Sequence, residues 1–453
     1  MSENRRLLLI SANHHDQPYP VFPLGIAYLQ SYLHKHMPQL EIRFFDFNIN
    51  THDQLAQLLM DFKPRYTGIS LRNVDDVNFY TRESFINGYK TIVELIKSTL
   101  DTTIIIGGSA FSIYPEQLFS LFIPDFGITG EGEESLRQLL LALNEQRSPD
   151  SIEGLVYRTP GRIQVNLRKR YLRSLTLEFD PSLLNFYWDK SGMLNIQTKR
   201  GCPYRCIYCT YPLIEGTKVR TLNPGEIVET LMRLYRDHHI TYIFFTDSVF
   251  NISNDFNCSL AESMIKAGLG IKWGAYFSPF NLDEAQLSLF KKAGLSHIEF
   301  GTESLSNTAL RQYGKHFTVD EVITVSEWCN KLNIYFCHFM IFGGYGETEE
   351  TIDETLENSK LIKNTVFFPY LGMRIYPGTR MQELAICEGV IDPQDDLLEP
   401  VYYLADGIDY ESLKSRAELT GRRWVFPDED VATFMNRLRA RKRKGSLWHY
   451  LKK

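Results

Sequence analysis

The chain has 453 residues, 43% of them hydrophobic and 23% charged, with a formal net charge of -6. That length allows two or three domains with sizeable cores, and an acidic balance offers no attraction to nucleic acid. No run approaches the ~20 apolar residues of a membrane span, and the first residues lack a signal peptide's apolar core, so a cytoplasmic location is expected.

Residues 1–150 alternate short apolar runs with amphipathic stretches. Strands are predicted at Leu7–Ile10, Ile42–Phe45, Thr67–Leu71, Thr103–Ile106 and Asp125–Thr129. Helices are predicted at Pro23–His34, Leu55–Phe62, Phe85–Leu100 and Glu133–Asn144. Strands alternating with helices imply an α/β, doubly wound, Rossmann-like parallel sheet, which binds ligands at the carboxyl ends of its strands. Polar and glycine-rich residues fall at those ends: Asn13, His14 and His15; Ser70, Arg72 and Asn73; Gly107, Gly108 and Ser109; Gly130, Glu131 and Gly132.

Residues 151–190 read as a less regular linker containing Pro160, Gly161 and Pro181. A second alternating series fills 191–390. Its strands are predicted at Met193–Thr198, Tyr242–Thr246, Ile271–Phe277, His297–Gly301, Ile334–Phe342 and Phe367–Ile375. Six strands with helices between them suggest a partial barrel, with chemistry at its carboxyl end. Residues 391–453 form a polar C-terminal region whose basic run, Arg437 to Lys444, reads as a solvated helix.

Seven cysteines are too few, and odd in number, for a disulfide framework. Three of them, Cys202, Cys206 and Cys209, crowd the loop after the first strand of the second series. Three thiolates can fill three corners of an iron–sulfur cubane and leave one iron open to a substrate. Structural zinc normally takes four ligands in paired spacings, and no nearby Cys or His pair completes such a set. Inert buried thiols are the other plain reading. Cys258, Cys329, Cys337 and Cys387 are scattered and read as unreactive.

The spacing C-x-x-x-C-x-x-C, with aromatic Tyr208 before the last cysteine, resembles the radical S-adenosylmethionine superfamily across residues 190–390. The resemblance implies a [4Fe–4S] cluster on Cys202, Cys206 and Cys209, with Tyr208 beside the adenine of S-adenosylmethionine. It extends to Asp247 and Asn251 after the second strand and to Ser278 after the third. It also takes in the Gly-x-Glu-Ser stretch that holds Glu303, followed by Lys315. Gly343 and Gly344 resemble a glycine motif whose usual proline is here Tyr345. Arg374 precedes a Tyr-Pro-Gly-Thr stretch of the family. Singly, each has a bland reading, since strand-end acids often cap helices and glycine pairs make turns.

The two domains together resemble the superfamily's cobalamin-binding branch. That resemblance implies a corrin site at His14, His15, Ser70, Arg72, Asn73, Gly107, Gly108, Ser109, Ser112, Gly130, Glu131 and Gly132. Small residues permit close backbone approach, and a helix start offers amide donors to a phosphate. The D-x-H-x-x-G motif that gives cobalt a histidine in mutases is absent. A doubly wound domain without a ligand remains the alternative.

The implied activity is cobalamin-dependent radical methylation of an unactivated carbon in a small-molecule or lipid-type substrate. A flavodoxin- or ferredoxin-like protein would be the external electron donor. Radical cyclisation, rearrangement or carbon–carbon coupling without methyl transfer is the second reading. The third is a zinc-stabilised scaffold or RNA-binding module. A methylthio-transferase would need cysteines in the first domain, and the first cysteine is Cys202.

Overall fold

The computed structural model describes residues 5–172 and 177–452. Seven strands build the first sheet: β1 (Arg6–Ser11), β2 (Glu41–Asp46), β3 (Tyr66–Ser70), β4 (Thr103–Gly107), β5 (Phe126–Ile128), β6 (Leu155–Thr159) and β7 (Arg162–Val165). Their spatial order is β2-β1-β3-β4-β5-β6-β7. The first five are parallel, and β6 and β7 are added antiparallel. Leu7 to Ile10 are all buried, as a strand covered by helices on both faces requires. The order reverses between β1 and β3, and the loops after those strands open there, where such sheets bind ligands.

Two features depart from the sequence reading. The loop after β4 continues into helices Ser109–Ile113 and Pro115–Phe122. The segment read as a linker supplies the β6–β7 hairpin and a helix, Pro181–Ser191, capped by Asp180.

The remaining strands follow in chain order. They are β8 (Leu194–Ile196), the short ribbon β9 (Lys199–Arg200) and β10 (Arg220–Thr221), β11 (Tyr242–Phe245), β12 (Lys272–Phe277), β13 (Leu295–Glu303), β14 (Tyr335–Phe342), β15 (Val366–Leu371), and a second ribbon, β16 (Met373–Arg374) with β17 (Tyr402–Tyr403). β8 and β11 to β15 form a six-stranded parallel sheet in unbroken chain order. It is a partial barrel, helix-covered on its outer face by a core that includes Ile243, Phe245, Trp273, Ile298, Phe300 and Phe336. No helix among the described residues is long and apolar enough to cross a membrane.

The basic run keeps Arg437, Arg441, Lys442 and Arg443 exposed, while the residues that follow it are docked. After the helix Val431–Ala440, residues 445–452 pack on the barrel, with Leu447, Trp448 and Leu451 buried against Cys337 and Val366. His449 Nδ1 lies 2.8 Å from His297 Nε2, and Trp448 Nε1 donates to Glu299 at 3.0 Å. Within the basic run, Arg439 donates to the Pro18 carbonyl and Lys444 to that of Trp188.

Buried ion pairs join the two sheets. Arg374 Nε meets Asp75 Oδ2 at 2.9 Å, with both side chains almost fully buried. The same guanidinium donates to the Tyr114 hydroxyl and to the carbonyls of Ile375, Val401 and Leu397. Replacing Arg374 with methionine strips the buried Asp75 of its ion-pair partner, which should cost about 3–5 kcal/mol. Urea unfolding of Arg374→Met and wild type measures it; a difference under about 1 kcal/mol would place this pair among weak surface contacts.

Candidate active site between the two sheets

One cavity of about 550 Å³ opens where the carboxyl ends of the two sheets face each other. From the first sheet it is lined by Ser11, Asn13, Ser70, Arg72, Asn73, Gly107, Gly108, Ser109, Gly130, Glu131 and Gly132. From the barrel it is lined by Asn195, Gln197, Arg200, Thr210, Tyr211, Glu215, Phe244, Thr246 and Tyr276. Its volume is that of a site for a sizeable ligand.

Most of the expected corrin-site residues lie on this wall, and three do not. His14 is turned away, its ring 4.7 Å from that of Phe47 and 5.8 Å from that of His52. Burial, then the neighbouring His52, lowers the His14 pKa and keeps the ring neutral. His15 packs against Phe85. Asn13 takes the wall position instead and holds the loop through a bond from Nδ2 to the His15 carbonyl. Ser112 sits behind the wall, donating to the Gly108 carbonyl and accepting from the Gly130 amide, both at 2.8 Å. It ties two of the wall loops together.

The cysteine loop runs from β9 toward the cavity. Its entry is fixed by Asp247, whose two oxygens accept from the Thr198 and Lys199 amides, the Thr198 hydroxyl and the Lys199 ammonium at 2.5–3.1 Å. The sequence reading sets Asp247 beside S-adenosylmethionine; in the structure both its carboxylate oxygens are engaged by Thr198 and Lys199. Asn251 is likewise occupied, donating to the carbonyls of Ser278 and Phe280 and accepting from the Ser278 amide. Arg374, expected near the cofactor, has its donors engaged by Asp75, Tyr114 and the Leu397 carbonyl.

Around the thiols the chain places a second ion pair. Lys315 Nζ lies 2.8 Å from Glu303 Oε2, and the Tyr208 hydroxyl donates to Glu303 Oε1 at 2.7 Å. Glu303 has φ +63° at an irregularity of β13, a left-handed conformation that costs of order 1–3 kcal/mol and collects at functional sites. Tyr204 of the cysteine loop stacks on His316 at 3.6 Å, and His316 Nε2 is 3.3 Å from the Ser278 hydroxyl. Burial, then the Lys315 charge, pushes His316 down to about 4. Gly343 donates its amide to Glu347, and a side chain on Gly344 would strike the Tyr313 hydroxyl at 2.4 Å.

The donor set suits a cubane. Burial raises the pKa of all three thiols, that of Cys209 to about 12, so a cation such as iron is needed to hold them as thiolates. Among the described residues no three His, Cys, Asp or Glu side chains are grouped to hold a single metal ion. Thiolates on a cubane bind different irons and need not meet at one point.

A third network, which sequence reasoning missed, connects the cysteine loop to the first sheet. Arg200 meets Glu133 at 2.9 Å and Glu131 at 3.6 Å, and Arg220 meets Glu131 at 2.6 Å. Behind it, Glu215 accepts from the Gly201 amide and from Gln197. The only hint in sequence was Glu131 beside two wall glycines; its partners lie 69 and more positions away.

A doubly wound domain facing a partial barrel with a three-thiol loop defines a two-cofactor radical enzyme. Residues 196–358 match the sequence profile of the radical SAM superfamily, and residues 15–140 match that of the B12 binding domain. The chain belongs to the radical S-adenosylmethionine superfamily, in its cobalamin-binding branch, and is a radical S-adenosylmethionine enzyme. It is 24% identical over 378 residues to an uncharacterized methyltransferase of Pyrococcus horikoshii, covering 82% of this chain and 79% of that one. It is 22% identical over 444 residues to the tryptophan 2-C-methyltransferase of Streptomyces laurentii, covering 82% and 73%. Its fold is that of the methyltransferase TsrM from Kitasatospora setae, solved with cobalamin and a [4Fe–4S] cluster. The TM-score is 0.88 at 21% identity, over 99% of this chain and 97% of that one.

The wall glycines differ in what they tolerate. Gly108 has φ +100°, and a side chain there would lie 2.3 Å from the Leu71 carbonyl oxygen, whereas one at Gly25 would meet nothing within 4 Å. Gly108→Ala should lower stability by more than about 1 kcal/mol, while Gly25→Ala should be neutral or stabilising. Thermal unfolding of both variants checks this contrast; equal midpoints would contradict the strained geometry.

Proposed function

We propose that this enzyme methylates an unactivated carbon of a small-molecule or lipid-type substrate. One observation carries the reading: the loops of the cobalamin-binding domain and the mouth of the radical barrel line the same cavity. A methyl carrier on one wall and a radical source on the other could then reach one substrate carbon.

In this reading Cys202, Cys206 and Cys209 hold three irons of the cluster, which when bound supplies the electron that opens the sulfonium of S-adenosylmethionine. Tyr208, Ser278, Glu303, Gly343 and Gly344 border the place for that molecule. Lys315 holds the Glu303 carboxylate in place, and the Asp247–Lys199 pair fixes where the cysteine loop begins. Gly107, Gly108, Ser109, Gly130 and Gly132 give the corrin room, and Arg72 and Asn73 offer it polar contacts. Arg200, Arg220, Glu131 and Glu133 hold the two walls at a fixed separation and keep water out of the seam. The electron comes from a small flavodoxin- or ferredoxin-like protein.

Product masses test this reading. The anaerobically reconstituted enzyme, given S-adenosylmethionine with a deuterated methyl group, should yield a labelled methylated product with deoxyadenosine and S-adenosylhomocysteine together. Turnover of an accepted substrate with no S-adenosylhomocysteine would favour radical cyclisation or rearrangement instead. Cys206→Ala should lose the cluster's iron and its visible absorbance; full retention of both would overturn the ligand assignment.

A further inference from the structure

Side chains alternate along β13. Ile298 and Phe300 are buried against the helices, so His297, Glu299 and Gly301 share the face turned into the barrel, and Glu303 rejoins it above the irregularity. These residues form a column. Glu303 stands at the mouth beside the cysteine loop, and His297 meets the C-terminal segment at the floor. Glu299 lies between them, and the Glu303 carboxylate folds back over Gly301, 3.3 Å from where a side chain on that glycine would begin.

The neighbouring strands put rings around that column. Ala275 and Phe277 face the helices, as do Ile243 and Phe245, which turns Tyr276 and Phe244 inward. The same alternation turns Phe339, Phe368 and Tyr370 inward. Ring centroids are 5.0 Å apart for Phe244 and Tyr276, 6.4 Å for Tyr276 and Phe339, 5.7 Å for Phe339 and Phe368, and 6.2 Å for Phe339 and Tyr370. These rings are not closed into a core. Tyr276 and Tyr370, both inside the barrel, keep 36% and 43% of their surface open, and Phe244 and Tyr276 line the cavity.

Glu299 is 6% exposed; it accepts from the Trp448 indole at 3.0 Å and has the Ser446 side chain as a second hydrogen-bond partner. Among the described residues it forms no ion pair, unlike Asp75, Glu131, Glu133, Asp247 and Glu303, each of which has its arginine or lysine. Burial pushes its carboxyl up to about 7, and a cation brought beside it would favour the ionised form. Open aromatic faces stack on flat rings and attract cations, and a buried carboxyl rejects an anion.

We propose that Glu299 anchors the substrate at the bottom of this aromatic chamber. The substrate is then a flat apolar ring system that carries an ammonium or N–H donor at its inner end. The inference rests on the barrel being the seat of the methylated molecule.

The test uses two probes with the same ring and opposite charge, 2-naphthylmethylamine and 2-naphthoate, titrated calorimetrically into the reconstituted full chain. The amine should bind roughly tenfold or more tighter than the carboxylate, as expected for a charge-assisted bond. Glu299→Gln should remove that preference, and Phe339→Leu should weaken both probes. A carboxylate that binds as well as the amine to wild type, which needs no variant to fold, overturns the proposal. So does an unchanged amine preference in folded Glu299→Gln. Neither readout involves methyl transfer. Amine selectivity without methylated product counts against the proposed function alone, and methylation without amine selectivity counts against the anchor alone.

Discussion

Two sets of buried ion pairs hold the carboxyl ends of both sheets against one cavity, and the chemistry depends on that juxtaposition. Arg374 with Asp75 closes one side, and Arg200 and Arg220 with Glu131 and Glu133 close the other. Such pairs add little net stability over apolar packing, because desolvation offsets most of the attraction. What they impose is geometry, since any arrangement that parts the charges leaves them buried and alone. The domains are therefore fixed at one separation and one orientation.

The same logic operates at shorter range around the cysteine loop. Lys199 and Asp247 fix its start, Tyr204 stacked on His316 fixes its first turn, and Glu303 with Lys315 stands beside Cys206 and Tyr208. The strained backbone at Glu303 persists because two partners hold its carboxylate. These groups act through position, so sequence motifs locate them without revealing what they do.

Much of the fold was legible because its signals are local. The barrel strands are buried apolar runs, and each of the six predicted there overlaps an observed strand. The β6–β7 hairpin was missed because its residues are half-exposed and it sits beside Pro160 and Gly161. The helices Ser109–Ile113 and Pro115–Phe122 are too short to show a period. At the site, cysteine spacing and the wall glycines could be read. The partners of Asp247 and Arg374 could not, because Asp247 meets a lysine 48 positions back and Arg374 an aspartate 299 positions away. His14 and His15 misled because adjacency in sequence does not tell which side of a strand end a ring will take.

Electron paramagnetic resonance of the reconstituted protein tests the shared cavity directly. With cob(II)alamin and the reduced cluster both present, the cobalt signal should be broadened or split by the cluster's spin, and Cys206→Ala should restore the isolated signal. A cobalt signal identical in the two proteins, with cobalamin bound to each, would contradict a single site served by both domains.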